Sequence, residues 1–583
     1  MKIWIAQINT KLGDLNHNYN KIINAIDKIW NEAEVLVFPE MTLPWYPLHD
    51  KIYDQNLLKN QTDKISQIQK YISDTASNLT VVLWYVDFDK DNLWPDGRWI
   101  KHNSAAVITK DQILKYHKQL LPNYDVFYDK RYYQEGKDSL HFPVGDKTAT
   151  VVICEDMRDE WYDVKPIADA VAAAKTDLII NISSSPFATG KLQRRYDIIK
   201  NHATTHHIPM VYVNQVWAQD GNVNDWASMV VDQDGKLIYI SPSFEEDLIV
   251  IDVGAIINRP DTENDQKTNN NKSDNSSNIK NIYISDIIWP DKLDPKTRWI
   301  APLLDAKTNK YGQMLDAIKL AVRDYADKTG IDNMTIGVSG GIDSALNLYI
   351  LAQALPADKI HAYYLPSRHS QSLEYVQKLC DNLGVKFASH DIQPAVSSAI
   401  SEYEKIHWVS TMDDITYQNI QARERWQILN MYANYHHGLL VNNSNRTEIA
   451  QWYATLYGDT VGFLALIWDL IKTEVYEMCE YINTKHGYDI IPNGIITRDA
   501  SAELTDNQVD PFDYVRESMA IEDIFLGEDI YIVAERYNLP IETVAKYKKR
   551  NDFSEFKRVQ SPRVVKLKSQ SAGMGRIYPI VFG

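Results

Sequence analysis

Short apolar runs punctuate the first part of the chain: Ile3–Ile8, Val35–Phe38, Val81–Tyr85, Ser104–Ile108, Thr150–Ile153, Leu178–Ile182 and Met210–Val213. Each is rich in valine and isoleucine and bounded by polar or turn residues, the pattern of buried strands. Asn18–Trp30 and Ile167–Lys175 read instead as helices. Together they predict a layered α/β domain, sheets covered by helices. The pattern then breaks. Asp261–Asn278, DTENDQKTNNNKSDNSSN, has no large apolar residue, so burial cannot offset its ordering entropy, and it reads as a flexible excursion at a domain boundary. Beyond it come a helix over Tyr311–Lys328, a strand at Met334–Val338, a helix from Asp343 to Ala354 and a strand at His361–Leu365. That order makes a βαβ unit and a parallel sheet. The expected division is 1–255, a linker over 256–309, and 310–583.

Composition narrows the class. Hydrophobic residues at 44% and charged residues at 24% exclude disorder of the whole chain. A formal charge of −17 argues against a nucleic-acid-binding surface but permits a local basic pocket for a phosphate ligand. Three cysteines, Cys154, Cys380 and Cys479, cannot form a disulfide framework or a four-thiolate zinc site. The opening MKIWIAQINTKLGD lacks a signal peptide's apolar core, and no run of about 18 apolar residues could span a membrane. A cytoplasmic protein without membrane partners is expected, and a single cysteine is then free to act as a nucleophile.

Cys154 ends an apolar run and enters a turn, where free backbone N–H groups can bind an oxyanion. Alone it reads first as a buried structural cysteine, which a lone cysteine usually is. Glu40 also ends an apolar run, and Lys118 follows Ile113–Tyr116. A carboxylate can take the thiol proton and return it to a leaving amine, and a lysine can stabilise the developing charge. With their flanks, FPE at 38–40, HKQLLPNYDVF at 117–127 and ICED at 153–156, these residues resemble the nitrilase superfamily. NISSSPF at 181–187 and VYVNQV at 211–216 narrow the likeness to the glutaminase domain of glutamine-dependent NAD synthetases. The resemblance implies an α-β-β-α sandwich with Glu40 as general base, Lys118 stabilising the intermediate and Cys154 forming a glutamyl thioester. It also implies glutamine contacts at Tyr46, Tyr124, Asp129, Ser185 and Lys191. Asp129 stands where the family has a second glutamate, and Trp217-Ala218-Gln219-Asp220 replaces its Gly-Gly-Gln-Asp.

After the strand MTIGV comes Ser339-Gly340-Gly341-Ile342-Asp343-Ser344, opening a helix. Adjacent glycines allow a tight turn, and backbone N–H groups at a helix N-terminus favour an anion. No GxxxxGK[ST] occurs, so a Walker loop is excluded. SGGIDS resembles the pyrophosphate loop of ATP pyrophosphatases. LPSRHS (365–370), NIQARERW (419–426), NRTEIAQWYATLYGD (445–459), DLIKT (469–473) and SAEL (501–504) make the likeness one to NAD synthetases. It implies a Rossmann-like, doubly wound parallel sheet. ATP, as co-substrate, would meet Ser339, Gly340, Gly341, Asp343, Ser344, Asn443, Lys472 and Ser501. Mg²⁺ would be held by Asp343 and Glu448, and deamido-NAD by Arg423 and Lys557. Asn442-Asn443-Ser444-Asn445-Arg446-Thr447-Glu448 replaces Gly-Thr-Gly-Asn-Lys-Ser-Glu, with altered ATP affinity expected.

The resemblance implies amidation of adenylated deamido-NAD by ammonia released at Cys154 and channelled between domains, in a homo-oligomer. A GMP synthetase would pair the same ATP loop with a Cys-His-Glu glutaminase, and a non-catalytic scaffold would not need Glu40, Lys118, Cys154, Asp343 and Glu448 intact. His202, His206 and His207 lack the HExxH pattern. The stretch Trp84–Trp99 reads as core and turn, and Lys557–Lys568 as an element closing over the nucleotide.

Overall fold

A computed structural model describes residues 1–29, 34–44, 47–75, 78–225, 227–254, 309–407, 412–451, 453–506 and 508–580. The predicted flexible stretch 261–278 lies outside the described residues, as do Trp30 and Tyr46. The chain forms two compact units. The first holds 1–186, 190–217 and 224–310; the second holds 187–189, 218–223 and 311–583.

The first unit contains two six-stranded sheets. One runs, edge to edge, Asp247–Asp252, Lys2–Gln7, Val35–Val37, Thr80–Leu93, Trp99–Ile108 and Ile113–His117. The other runs Leu237–Ile240, Met229–Val231, Met210–Asn214, Leu178–Ser183, Lys147–Ile153 and His141–Val144. Strand alternation explains the layers, because successive side chains face opposite ways. Ile3, Ile5, Val35, Val37, Val82, Trp84 and Val107 share a core with Val151, Ile153, Ile180, Ile182, Val211 and Val213 of the second sheet. Leu36, Phe38, Val81, Leu83 and Ile108 face outward, onto Ile22 and Ile26 of helix Leu15–Lys28 and Ile65, Ile68 and Ile72 of helix Gln55–Asp74. Helices Pro166–Ala173 and Lys191–His206 cover the second sheet through Ile167, Leu192 and Ile199. This is the expected α-β-β-α sandwich. Asp14 and Asp54 cap their helices by accepting from His17 N, and from Asn56 and Leu57 N.

The second unit has one parallel sheet in the order Phe387–Ser389, Ile360–Tyr364, Met334–Gly337, Leu439–Asn442, Leu464–Ala465, Arg563–Val564. In chain order that is 3-2-1-4-5-6, the doubly wound arrangement whose direction reverses between Met334–Gly337 and Leu439–Asn442. A ligand crevice is expected where the carboxyl ends of those two strands part. Ser339–Ser344 leaves the first strand and Asn443–Glu448 leaves the second. Among the described residues no helix is long and apolar enough to cross a membrane.

Candidate active sites

In the first unit, Glu40 lies just beyond the end of strand Val35–Val37 and is buried. Its Oε1 accepts from Lys118 Nζ at 3.0 Å and Asn103 Nδ2 at 3.0 Å, and its Oε2 from the Ser184 N–H at 3.0 Å. Asn103 is held in turn by Trp84 Nε1, which donates to its Oδ1 at 2.6 Å. Lys118 Nζ also donates to Asp129 Oδ2 at 3.0 Å. Burial alone would pull the ammonium's pKa down, but Asp129 and Glu40 outweigh it and hold it well above the usual value. Lys118 is therefore a fixed cation. Asp129, one methylene shorter than the family's glutamate, still reaches it, though its Oδ1 is buried without a donor. Burial raises Asp129 to about 6 against the pull of Lys118.

Cys154 opens a short turn, Cys154–Met157, with a left-handed φ of 45° that non-glycine residues seldom adopt. Asp156 secures the turn. It accepts from the N–H groups of Ile153 (2.9 Å), Leu120 (2.8 Å) and Gln119 (3.0 Å) and from the Tyr116 hydroxyl (2.8 Å). One buried carboxylate thus binds the residue before the cysteine to the two residues after Lys118. Burial, reinforced by the charge of Glu40 and partly offset by Lys118, pushes the Cys154 thiol up to about 12. At rest it is protonated, so attack needs a base.

Of the predicted glutamine contacts, Tyr124 and Lys191 lie close enough to feel the charge of this thiol. Tyr124 donates to both Glu155 oxygens at 3.0 Å. The Ser185 N–H donates to Asn214 Oδ1 at 2.9 Å, and its Oγ accepts from Arg195 at 3.4 Å. Lys191 opens helix Lys191–His206. Asn103, Glu155, Asp156 and Ser184 were not foreseen; Ser184 acts through a backbone N–H that side-chain chemistry cannot reveal. Among the histidines set aside, His202 Nε2 lies 2.8 Å from the Met157 carbonyl, a satisfied core contact.

In the second unit, a cavity of about 560 Å³ opens at the reversal of strand order. Ser339, Gly341, Asp343, Ser344, Asn443, Glu448, Lys472, Ser501 and Lys557 line it. Gly340 does not. It has φ 78°, and a Cβ there would stand 2.5 Å from Ser372 Cβ, so its need for glycine comes from the turn and from Ser372. Lys472 Nζ donates to Asp343 Oδ2 at 2.5 Å and Glu448 Oε1 at 3.0 Å. Asn445 Nδ2 donates to the other Asp343 oxygen at 2.9 Å. Burial raises Glu448 to about 7, with Lys472 pulling the other way.

Residues 2–255 match the carbon-nitrogen hydrolase family and residues 314–561 the NAD synthase family. The glutamine-dependent NAD(+) synthetase of Thermotoga maritima is 31% identical over 590 residues, covering 100% of this chain and 98% of that protein. The chain belongs to the glutamine-dependent NAD(+) synthetases. The synthetase of Aquifex aeolicus is 29% identical over 599 residues, 100% of this chain and 99% of its own. A solved glutamine-dependent NAD+ synthetase from Acinetobacter baumannii, in complex with adenosine diphosphate, matches with a TM-score of 0.70 at 27% identity over 100% of this chain and 98% of that one. One from Cytophaga hutchinsonii, at 19% identity and a TM-score of 0.77 over 100% and 98%, shares the fold.

Three residues or segments lie elsewhere than the sequence suggests. Arg423 is exposed, donates to the Leu456 carbonyl at 3.2 Å and does not line the cavity, whereas Arg425 does. Asn443 turns its amide into the protein, donating to the Gly337 carbonyl at 2.8 Å and accepting from Asn347 at 2.9 Å. It ties the two strand ends at the reversal point together. Lys557–Lys568 is not a closing element as a whole: Arg563–Val564 is the sheet's edge strand, and buried Lys566 donates to the carbonyls of Lys568 and Ser569 at 2.8 Å. Lys557 alone of that stretch lines the cavity.

Proposed function

We propose that this chain makes NAD from deamido-NAD, ATP and glutamine, with Cys154, Glu40 and Lys118 releasing the ammonia. The reading is carried by the buried Glu40–Lys118 pair, 3.0 Å apart, whose charges reach a protonated Cys154 thiol. Glu40 takes the thiol proton as Sγ attacks the side-chain amide carbon of glutamine. Lys118 stabilises the oxyanion, and Glu40 returns the proton to the departing ammonia. Water then hydrolyses the glutamyl thioester to glutamate.

At the second site, the N-terminus of helix Ile342–Ala354, which follows the Ser339–Gly341 turn, is the element suited to hold phosphate. The nicotinate carboxylate attacks the α-phosphate of ATP, pyrophosphate leaves, and ammonia displaces AMP. Activation is required because a free carboxylate offers no good leaving group. Asp343 and Glu448 already converge on one cation, the Lys472 ammonium, and their hard oxygens suit Mg²⁺. Mg²⁺ held there would neutralise phosphate charge. Homo-oligomeric assembly, which family resemblance supports, is tested by solution mass.

Two results are expected. Cys154→Ala abolishes NAD formation from glutamine but preserves it from ammonium salts; loss with both donors in a folded protein overturns the reading. The second concerns pH. Burial, together with the neighbouring charges of Arg158 and Arg195 and against that of Asp225, lowers Lys191 to about 7. The Cys154 thiol, the other group facing it, stays protonated throughout this range. As a carboxylate contact Lys191 serves while charged, so KM for glutamine rises as pH climbs through about 7. Lys191→Arg, always charged, flattens that rise. A profile identical in both proteins removes Lys191 from glutamine binding.

A further inference from the structure

Arg158 closes the turn that Cys154 opens, its N–H donating to the Glu155 carbonyl at 2.7 Å. The residue is half-buried, and its Nη2 is sealed from solvent without a hydrogen-bond acceptor. A guanidinium carries five donors and cannot shed its charge, so a bare buried N–H calls for an anionic partner. Helix Lys191–His206 packs on the same turn, anchored by the 2.8 Å contact between His202 and Met157, the residue next to Arg158. Lys191, the helix's first residue, feels Arg158 and Arg195 as like charges. Asp225, the acid that offsets them, is already bonded to Arg195 at 3.0 Å. The charge of Arg158 also reaches Cys154 and Tyr124. Two cations thus gather beside the thiol around an unmet donor.

We propose that Arg158, together with Lys191, binds the α-carboxylate of glutamine and makes the Cys154 site selective for amides that bear a distal carboxylate. This rests on the glutaminase reading and assigns its specificity to a residue outside the motifs that suggested it. The discriminating substrate is 4-aminobutanamide, which is glutamine with hydrogen in place of the α-carboxylate.

Ammonia release is measured on both amides with the full chain, Arg158→Met, Arg158→Lys and Cys154→Ala. Arg158→Met is expected to raise KM for glutamine roughly ten- to a hundredfold, the loss of a charge-assisted contact. Its kcat/KM on 4-aminobutanamide should fall far less, since no carboxylate is there to lose and only the pull of the Arg158 charge on the thiol is removed. Arg158→Lys, keeping charge but not the fork, falls between. Equal losses on both amides, or an unchanged KM for glutamine, overturn the inference. If turnover of 4-aminobutanamide is too slow to read, calorimetric binding of L-glutamine to Cys154→Ala decides the point: adding Arg158→Met should weaken it at least tenfold, and equal affinity overturns the inference. Continued ammonia release by Cys154→Ala would instead remove the glutaminase reading beneath it.

Discussion

Glu40→Gln is expected to lower kcat for glutamine hydrolysis by about 10²–10⁴-fold, with KM little changed and NAD formation from ammonium salts retained. The size follows from the thiol. Burial and the Glu40 charge hold Cys154 at about 12, so at neutral pH the thiolate is scarce and attack depends on proton removal during the step. Glutamine keeps the length of the side chain and an oxygen for the Ser184 N–H, which donates to Oε2 at 3.0 Å, but it cannot take a proton. Lys118 keeps Asp129 at 3.0 Å, so the ammonium remains anchored after Glu40 loses its charge. The fold should therefore survive and the chemistry should not. Glutamine hydrolysis within tenfold of the parent's, in a protein of unchanged thermal midpoint, would assign the base elsewhere.

Much of this architecture is legible in the chain because it depends on local rules. Strands with both faces buried read as continuous apolar runs, and the predicted run Val81–Tyr85 holds Val82 and Trp84 in the inter-sheet core while Val81 and Leu83 face the helices. The βαβ opening of the second unit was visible to within a residue at each boundary, since Met334–Gly337 and Ile342–Ala354 flank a glycine pair. Helix Gln55–Asp74 was hidden: a polar sequence carries its apolar stripe only at Leu58, Ile65, Ile68 and Ile72.

What lies beyond local rules was not legible. Strand order 3-2-1-4-5-6 is a tertiary fact, and it brings Asp343 and Glu448 to one lysine across a hundred residues of chain. Arg423 and Arg425 sit two apart on helix Asp414–Tyr435, and such residues point to different sides. A motif match cannot say which faces the cavity; it is Arg425, whose pKa burial lowers to about 10. Likewise Asp156 looks like a turn residue in ICED until Gln119 and Leu120 arrive from a distant loop to share it.

Lys472→Met is expected to remove at least about 10²-fold from NAD formation with either nitrogen donor while sparing glutamine hydrolysis. Lys472 is buried, and its ammonium is raised well above the lysine range because Asp343 and Glu448 outweigh the effect of burial. Methionine retains most of the volume and none of the charge. Glu448, raised to about 7 even with Lys472 beside it, then holds its proton against Asp343 without a cation between them, and breaking such a buried pair costs about 3–5 kcal/mol. The same loss gives a readout independent of catalysis. A divalent cation that replaces the lost ammonium relieves it, so millimolar Mg²⁺ should raise the unfolding midpoint of Lys472→Met by more than that of the parent. Sodium at matched ionic strength should not, because screening acts weakly on buried charges. Equal responses to the two salts would mean that Asp343 and Glu448 do not share a cation, and the proposed Mg²⁺ ligands would have to be sought elsewhere along the cavity wall.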